Sequence, residues 1–144
     1  MGLHIKDKND NWICYRTDLT LEQAATQYLD GETFETSSDP LKYISIDTLK
    51  ANKKNAIENA AKEKIKDVGG DIIAGVFNVM KAAKILNKNR KGNATQDELD
   101  MLDALEIQAD TIESIQAQAS AMIFEVYALT NKQAVQEYEI NFTE

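Results

Sequence analysis

Residues 72–99 read IIAGVFNVMKAAKILNKNRKGNATQDEL, and the architecture turns on how they are understood. Ile72, Ile73, Val76, Phe77, Val79, Met80, Ala82, Ala83, Ile85 and Leu86 leave hardly any polar face, the pattern expected of a helix buried on several sides and so of the hydrophobic centre. Lys88, Arg90 and Lys91 crowd its last turn, Gly92 stands at the stop position, and Thr95-Gln96-Asp97-Glu98 opens a second helix as a capping box. Cations at one helix's C-terminus and anions at the next one's N-terminus both complement the local macrodipole. A connection this short makes the two helices antiparallel neighbours.

Working outward, the second helix runs from 96 to about 130. Leu102, Leu105, Ala109, Ile112, Gln116, Ala119, Ile123 and Val126 recur at spacings of three and four, a heptad-like seam expected to meet Ile73, Phe77 and Met80. Beyond it, Tyr138, Ile140 and Phe142 alternate with Glu137, Glu139 and Asn141, which predicts a terminal strand that pairs with the N-terminal hairpin or with another molecule's edge.

Upstream, the pattern is helical from Asp47, with Leu49, Ala56, Ile57, Ala60, Ala61, Ile65 and Val68 on a thin, alanine-rich stripe, until Gly69-Gly70 interrupts it. Ahead of that lies a small head. Leu3 and Ile5 alternate with His4 and Lys6, residues 7–11 supply turn chemistry, and Trp12-Ile13-Cys14-Tyr15 is rich in strand formers, so Trp12 and Tyr15 are expected in a β-hairpin. Thr20 and Gln23 form a capping box for a short helix over 21–30 that includes Leu29, and 31–45 read as a connecting loop with room for a brief strand.

The expected fold is mainly α, α+β overall: a long antiparallel, coiled-coil-like helical hairpin (47–131) after a β-hairpin and short-helix head (1–46), with a strand or tail over 132–144. One proline and six glycines favour such long, uninterrupted elements.

Charge is sorted into blocks of −5 over residues 1–49, +7 over 50–91 and −10 over 92–144. Folding back at Gly92 would bring Lys84, Lys88 and Lys91, with Lys81 and Arg90, toward Asp97, Asp100 and Asp103, with Glu106 and Asp110, so most of the partner charge is expected inside the chain. The basic helix bearing Lys50, Lys53, Lys54, Lys62 and Lys66 is left over; its acidic complement is expected at the far end of the long helix, in the acidic head or on a neighbouring subunit, and it is the place to look for a protein partner.

Candidate chemistry is sparse. His4 is the lone histidine, expected to face solvent from its strand, so no imidazole cluster for zinc and no convincing triad arises. Cys14 sits among apolar strand residues as a buried, inert thiol would, and it permits no internal disulfide. Asp7, Asn9, Asn11 and Asp18 echo a calcium loop, but Trp12 occupies the position where glycine is demanded, and turn chemistry explains the same residues. The acidic ladder from Asp100 to Glu113 has no histidine for a di-metal site. The basic block lacks stacking aromatics for nucleic acid, and no phosphate-binding glycine loop occurs. No catalytic residue, cofactor or metal is expected, and the chain does not read as an enzyme. The stretch from Asp71 to Leu86 falls short of a bilayer span, and no apolar run after Met1 would serve as a signal peptide, so folding in a reducing cytosol is expected.

Two stretches carry a family resemblance: Leu49-Lys50-Ala51-Asn52-Lys53-Lys54-Asn55-Ala56-Ile57-Glu58-Asn59-Ala60-Ala61, and Gly92-Asn93-Ala94-Thr95-Gln96-Asp97-Glu98-Leu99 continuing through Leu102-Asp103-Ala104-Leu105. Residues 49–112 resemble helical segments of small tail-fibre and tail-fibre assembly proteins of bacteriophages. The resemblance implies a role in phage tails, as a virion subunit joining fibres to the tail or as a fibre-folding chaperone, made in the bacterial cytoplasm and, for a subunit, carried into the virion. The partners would be other tail proteins. The −10 block suggests a third reading, an acidic inhibitor of a host nucleic-acid-binding defence protein. Self-association as a dimer or trimer is expected in addition, because Ile72 to Leu86 offers more apolar surface than one antiparallel partner can cover.

Overall fold

The computed structural model describes residues 1–28, 31–69 and 72–144. The chain divides into two compact units, Met1–Thr48 and Leu49–Glu144. The fold is mainly helical with a small antiparallel sheet, an α+β arrangement dominated by α.

In the first unit, β1 (Gly2–Lys6) is the central strand, flanked by β2 (Trp12–Arg16) and β3 (Thr33–Ser37), both antiparallel to it. The expected hairpin is β1–β2, and β3 is the brief strand for which the connecting segment 31–45 leaves room. Asp7 shapes the hairpin turn. Its Oδ1 accepts the backbone N–H groups of Asn9 (2.8 Å) and Asn11 (2.9 Å), and Asp10 takes the left-handed conformation (φ 65°) that this residue type tolerates. These bonds hold the Asp7 carboxyl below the usual range, the Asn11 side chain contributing most. Leu3 and Ile5 are buried on one face, where helix α1 (Leu21–Gln27) brings Tyr28 edge-on to Phe34 and buries Ala24. The Thr20–Gln23 capping box is formed on both sides, while the helical pattern's last positions, Leu29 and Asp30, lie outside the described residues.

The other face of the sheet holds a correction. His4 is fully buried rather than solvent-facing. Leu3 pairs with Arg16, His4 with Tyr15 and Ile5 with Cys14, but Lys6 pairs with Trp12, so Ile13 is the extra residue of a β-bulge. In a strictly alternating strand, Trp12 would share a face with Cys14. The bulge transfers it to the face of His4. The indole Nε1–H then donates to His4 Nδ1 at 3.0 Å, and His4 Nε2 lies 2.7 Å from the Asp39 carbonyl oxygen. Indole can only donate, so Nδ1 is the acceptor and Nε2 carries the proton. Tyr15 and Tyr43 close over the ring at centroid distances of 4.6 and 4.9 Å. Tyr15 lies directly over Gly2, where an added Cβ would come within 2.5 Å of its ring, and its hydroxyl reaches the Ser37 carbonyl at 2.9 Å.

Glu35, cross-strand from His4, is bonded by Lys42 and by the Tyr43 hydroxyl, and Lys6 lies 3.8 Å away. The Lys42 bond, followed by that of Tyr43, lowers its carboxyl to about 2, and the Arg16 fork lowers Asp18 to about 2 as well. A carboxylate depressed on folding stabilises the native state above its unfolded pKa, and that contribution is lost as pH falls through the folded value. The first unit should therefore hold through mild acid and weaken progressively from the ordinary glutamate range down to pH of about 2. Trp12, the sole tryptophan, reports this unit alone, and its fluorescence in a urea titration at each pH should show the midpoint falling across that window.

The second unit takes in α2 (Ile46–Gly69) from Leu49 onward, and there α2 runs antiparallel to the C-terminal half of α4 (Gln96–Ala128). Two ties fix the direction: Lys50 Nζ donates to the Tyr127 carbonyl (2.9 Å), and Gln108 Nε2 donates to the Val68 carbonyl (2.6 Å). Leu49, Ile57 and Ala61 of α2, Ile115, Ala119, Met122 and Val126 of α4, and Val135 of α5 (Lys132–Glu137) form the buried core. Helix α3 (Ile72–Arg90) packs on the N-terminal half of α4. The interruption predicted at Gly69-Gly70 coincides with the end of α2 at Gly69, and Gly70 and Asp71 lie outside the described residues.

The turn between α3 and α4 forms as its residues predict. Gly92 has φ +71°, its N–H bonds the Asn89 carbonyl, and the Asn93 N–H bonds that of Lys88, the paired bonds of a Schellman stop. Thr95 and Glu98 cap α4 reciprocally, and Lys88 also bonds Glu98, holding that carboxyl below the usual range. Gly92→Ala should destabilise the helical unit by about 1 kcal/mol, because the left-handed conformation strains any Cβ. Thermal unfolding followed by far-UV circular dichroism checks it.

The predicted terminal strand is not present. Residues 132–137 form α5, and 138–144 carry no regular secondary structure. Side chains bond part of this backbone instead. Gln118 bonds the Thr143 N–H (2.7 Å) and carbonyl (3.1 Å), and Lys53 Nζ donates to the carbonyls of Gln136 and Tyr138, both at 3.0 Å. Tyr138 donates its hydroxyl to Glu125 at 2.5 Å, with Ile140 and Phe142 half-buried further along.

Candidate interaction surface

Among the described residues, helix α3 carries the largest group of exposed large apolar side chains. Its stretch was read as the hydrophobic centre, yet among its described side chains only Ile85 is buried, and Val76, Phe77, Val79, Met80 and Leu86 are each more than half exposed, Val79 at 71%. The reason is geometric. An all-round apolar helix needs neighbours on several sides, and the described residues of this unit place one neighbouring helix, α4, firmly against it. The side chain of Ile73, assigned to the seam from the sequence, lies outside the described residues.

Between α3 and α4 runs an apolar groove of about 590 Å³. Gly75, Val79, Ala82 and Leu86 form one wall and Leu102, Leu105, Glu106, Ala109 and Ile112 the other. Small residues at 75, 82 and 109 leave it open to a bulky side chain or a helix face. Asn78 bonds Gln108 at 3.3 Å across the groove, and Gln108 in turn ties α4 to the end of α2.

The heptad seam of α4 divides between two partners. In its first half Leu102, Leu105 and Ile112 are half-buried beside α3 and Ala109 is exposed. In its second half the buried stripe is Ile115, Ala119, Met122 and Val126, whereas Gln116 is exposed and Ile123 half-buried. Exposed Met101 and Ile107 extend the apolar surface of α4, and Phe124 is 78% exposed further along.

The charges predicted to pair across the α3–α4 turn mostly do not. Lys88 pairs, and with Glu98. Among the described residues Lys81, Lys84, Arg90, Lys91, Asp97, Asp103, Glu106 and Asp110 form no ion pair, and Asp100 accepts from the Gln96 amide at 2.7 Å. Exposed partners on adjacent helices gain too little in water to hold two long side chains in one geometry. The basic helix also differs from expectation. Lys50 and Lys53 are bound within the unit to carbonyls that end α4 and α5, and Lys54 pairs with Glu58 at 3.7 Å, leaving Lys62 and Lys66 exposed on α2. Unsatisfied helix-end carbonyls carry the negative pole of the dipole, which is where an ammonium is stabilised.

No family model, curated protein or solved structure matches the chain. Among the described residues no group of three His, Cys, Asp or Glu side chains could hold a metal ion, and no helix is long and apolar enough to cross a membrane. Trp12 and Tyr15, assigned to strand pairing, stand in β2 against β1, and their side chains enclose His4.

Proposed function

We propose that this chain is a non-catalytic interaction subunit of a bacteriophage tail, acting through the apolar face of α3 and the groove that α3 shares with α4. The observation that carries the reading is the exposure of Val76, Phe77, Val79, Met80 and Leu86 on one helix. Contiguous apolar surface of this kind on a soluble chain is characteristic of a surface that another protein covers. The groove beside it, with small residues on its floor, suits a helix better than a polar small molecule. Placement in a phage tail rests on the resemblance of residues 49–112 to tail-fibre and assembly proteins.

Mass spectrometry of purified virions of a phage encoding the chain tests the placement. Stoichiometric copies are expected, and complete absence from the particle would exclude a virion subunit. If the chain instead acted only during fibre folding, the fibre would become soluble on co-expression and the particle would lack the chain.

A further inference from the structure

We infer that the occupant of the α3–α4 groove is a second copy of the same chain, docked about a two-fold axis so that α3 of each copy lies against α3 and α4 of the other. The inference rests on the functional reading of this face and names its partner. Three features of the surface meet here.

The first is that the docking element and its receptor are adjacent. Val76, Val79, Met80, Ala83 and Leu86 fall on one side of α3 by their three- and four-residue spacing, and all five are exposed. Val79 and Leu86 belong at once to that stripe and to the wall of the groove. A two-fold interface requires such a patch, because the same surface must serve as ligand and as receptor.

The second is charge. Lys84 and Arg90 stand on α3, with Lys91 just beyond its end, and Glu106 lines the groove on α4 with Asp103 one turn before it. Among the described residues none of these five forms an ion pair. A patch with a basic helix beside an acidic one repels neither itself nor its mirror in function: rotated by a half-turn, the basic edge of one copy meets the acidic edge of the other. A uniformly charged foreign partner would satisfy one edge and be repelled by the second.

The third is that, among the described residues, one helix, α4, packs firmly against α3. Docking a second α3 supplies the missing apolar contact on both copies simultaneously, so both helices gain the burial that their composition demands.

Charge exchange in the full chain tests this. Wild-type protein should have a solution mass twice 16.1 kDa by light scattering at concentrations where a double variant Lys84→Glu, Arg90→Glu is monomeric, and a second variant Asp103→Lys, Glu106→Lys should also be monomeric. Each reversal should weaken association by at least about tenfold. Mixing the two variants should restore the dimer, since the acidic α3 of one then meets the basic α4 of the other at one contact, and the native basic α3 meets the native acidic α4 at the second. Circular dichroism of each variant should match the wild type, because these positions are exposed and unpaired. A wild-type chain that stays at 16.1 kDa at high concentration, a trimer mass, or variants that dimerise unchanged alone would each overturn the inference. A monomeric chain found in stoichiometric amounts in virions would do so while leaving the functional reading intact.

Discussion

Ile57→Ala should destabilise the helical unit by about 2–5 kcal/mol, whereas Phe77→Ala in dilute solution should cost under about 1 kcal/mol. Both are large apolar residues in long helices, and the larger of the two is the one expected to matter less. Ile57 has no exposed surface and lies in the core that α2 forms with the C-terminal half of α4, so truncation leaves a cavity that the two helices cannot collapse to fill. Phe77 is 62% exposed and loses little that the native chain had buried. Urea unfolding followed by far-UV circular dichroism at low protein concentration separates them. Equal losses for the two variants would mean that α3 is part of the core after all.

His4→Phe should cost the first unit about 2–4 kcal/mol, even though phenylalanine matches the ring in size. The substitution removes an acceptor from the Trp12 indole and a donor from the Asp39 carbonyl, two polar groups beside a fully buried position, and each is expensive to leave unmade. The aromatic packing against Tyr15 and Tyr43 is retained, so the loss reads the hydrogen bonds. Trp12 fluorescence on denaturant unfolding measures it directly. Nitrogen NMR should find the wild-type ring protonated at Nε2, and a proton on Nδ1 would contradict the network.

Where sequence and structure agree, the determinants are local. The Thr20–Gln23 and Thr95–Glu98 capping boxes and the Gly92 stop each involve residues within six positions of one another, so their bonds follow from the order of residue types alone. Disagreement arises where a pattern is compatible with more than one partner. Tyr138, Ile140 and Phe142 do present one half-buried side, as alternation requires, but alternation specifies an extended chain with one covered face and not the group that bonds its backbone. Here Gln118 and Lys53 do so in place of a strand.

The alternation of His4 with Leu3 and Ile5 predicts a solvent-facing ring. The bulge at Ile13 that swings Trp12 over it, and the loop that brings Tyr43 there, depend on pairing register and on contacts far along the chain. The apolar run of α3 has the same ambiguity on a larger scale. Its composition states that the helix should be buried, and composition cannot say whether the cover comes from the same chain. The charge blocks follow suit: segregation is visible in the sequence, but only Lys88 and Glu98 among the groups flanking the turn meet within one copy.

Hydrogen–deuterium exchange across a protein concentration series tests the central claim most directly, that α3 is uncovered in the single chain and covered by association. Amides of residues 74–90 should exchange quickly in dilute protein and become protected as concentration rises, while those of α2 and the C-terminal half of α4 stay slow throughout. Protection of α3 equal to that of α2 at every concentration would contradict the account, as would an α3 that remains unprotected at the highest.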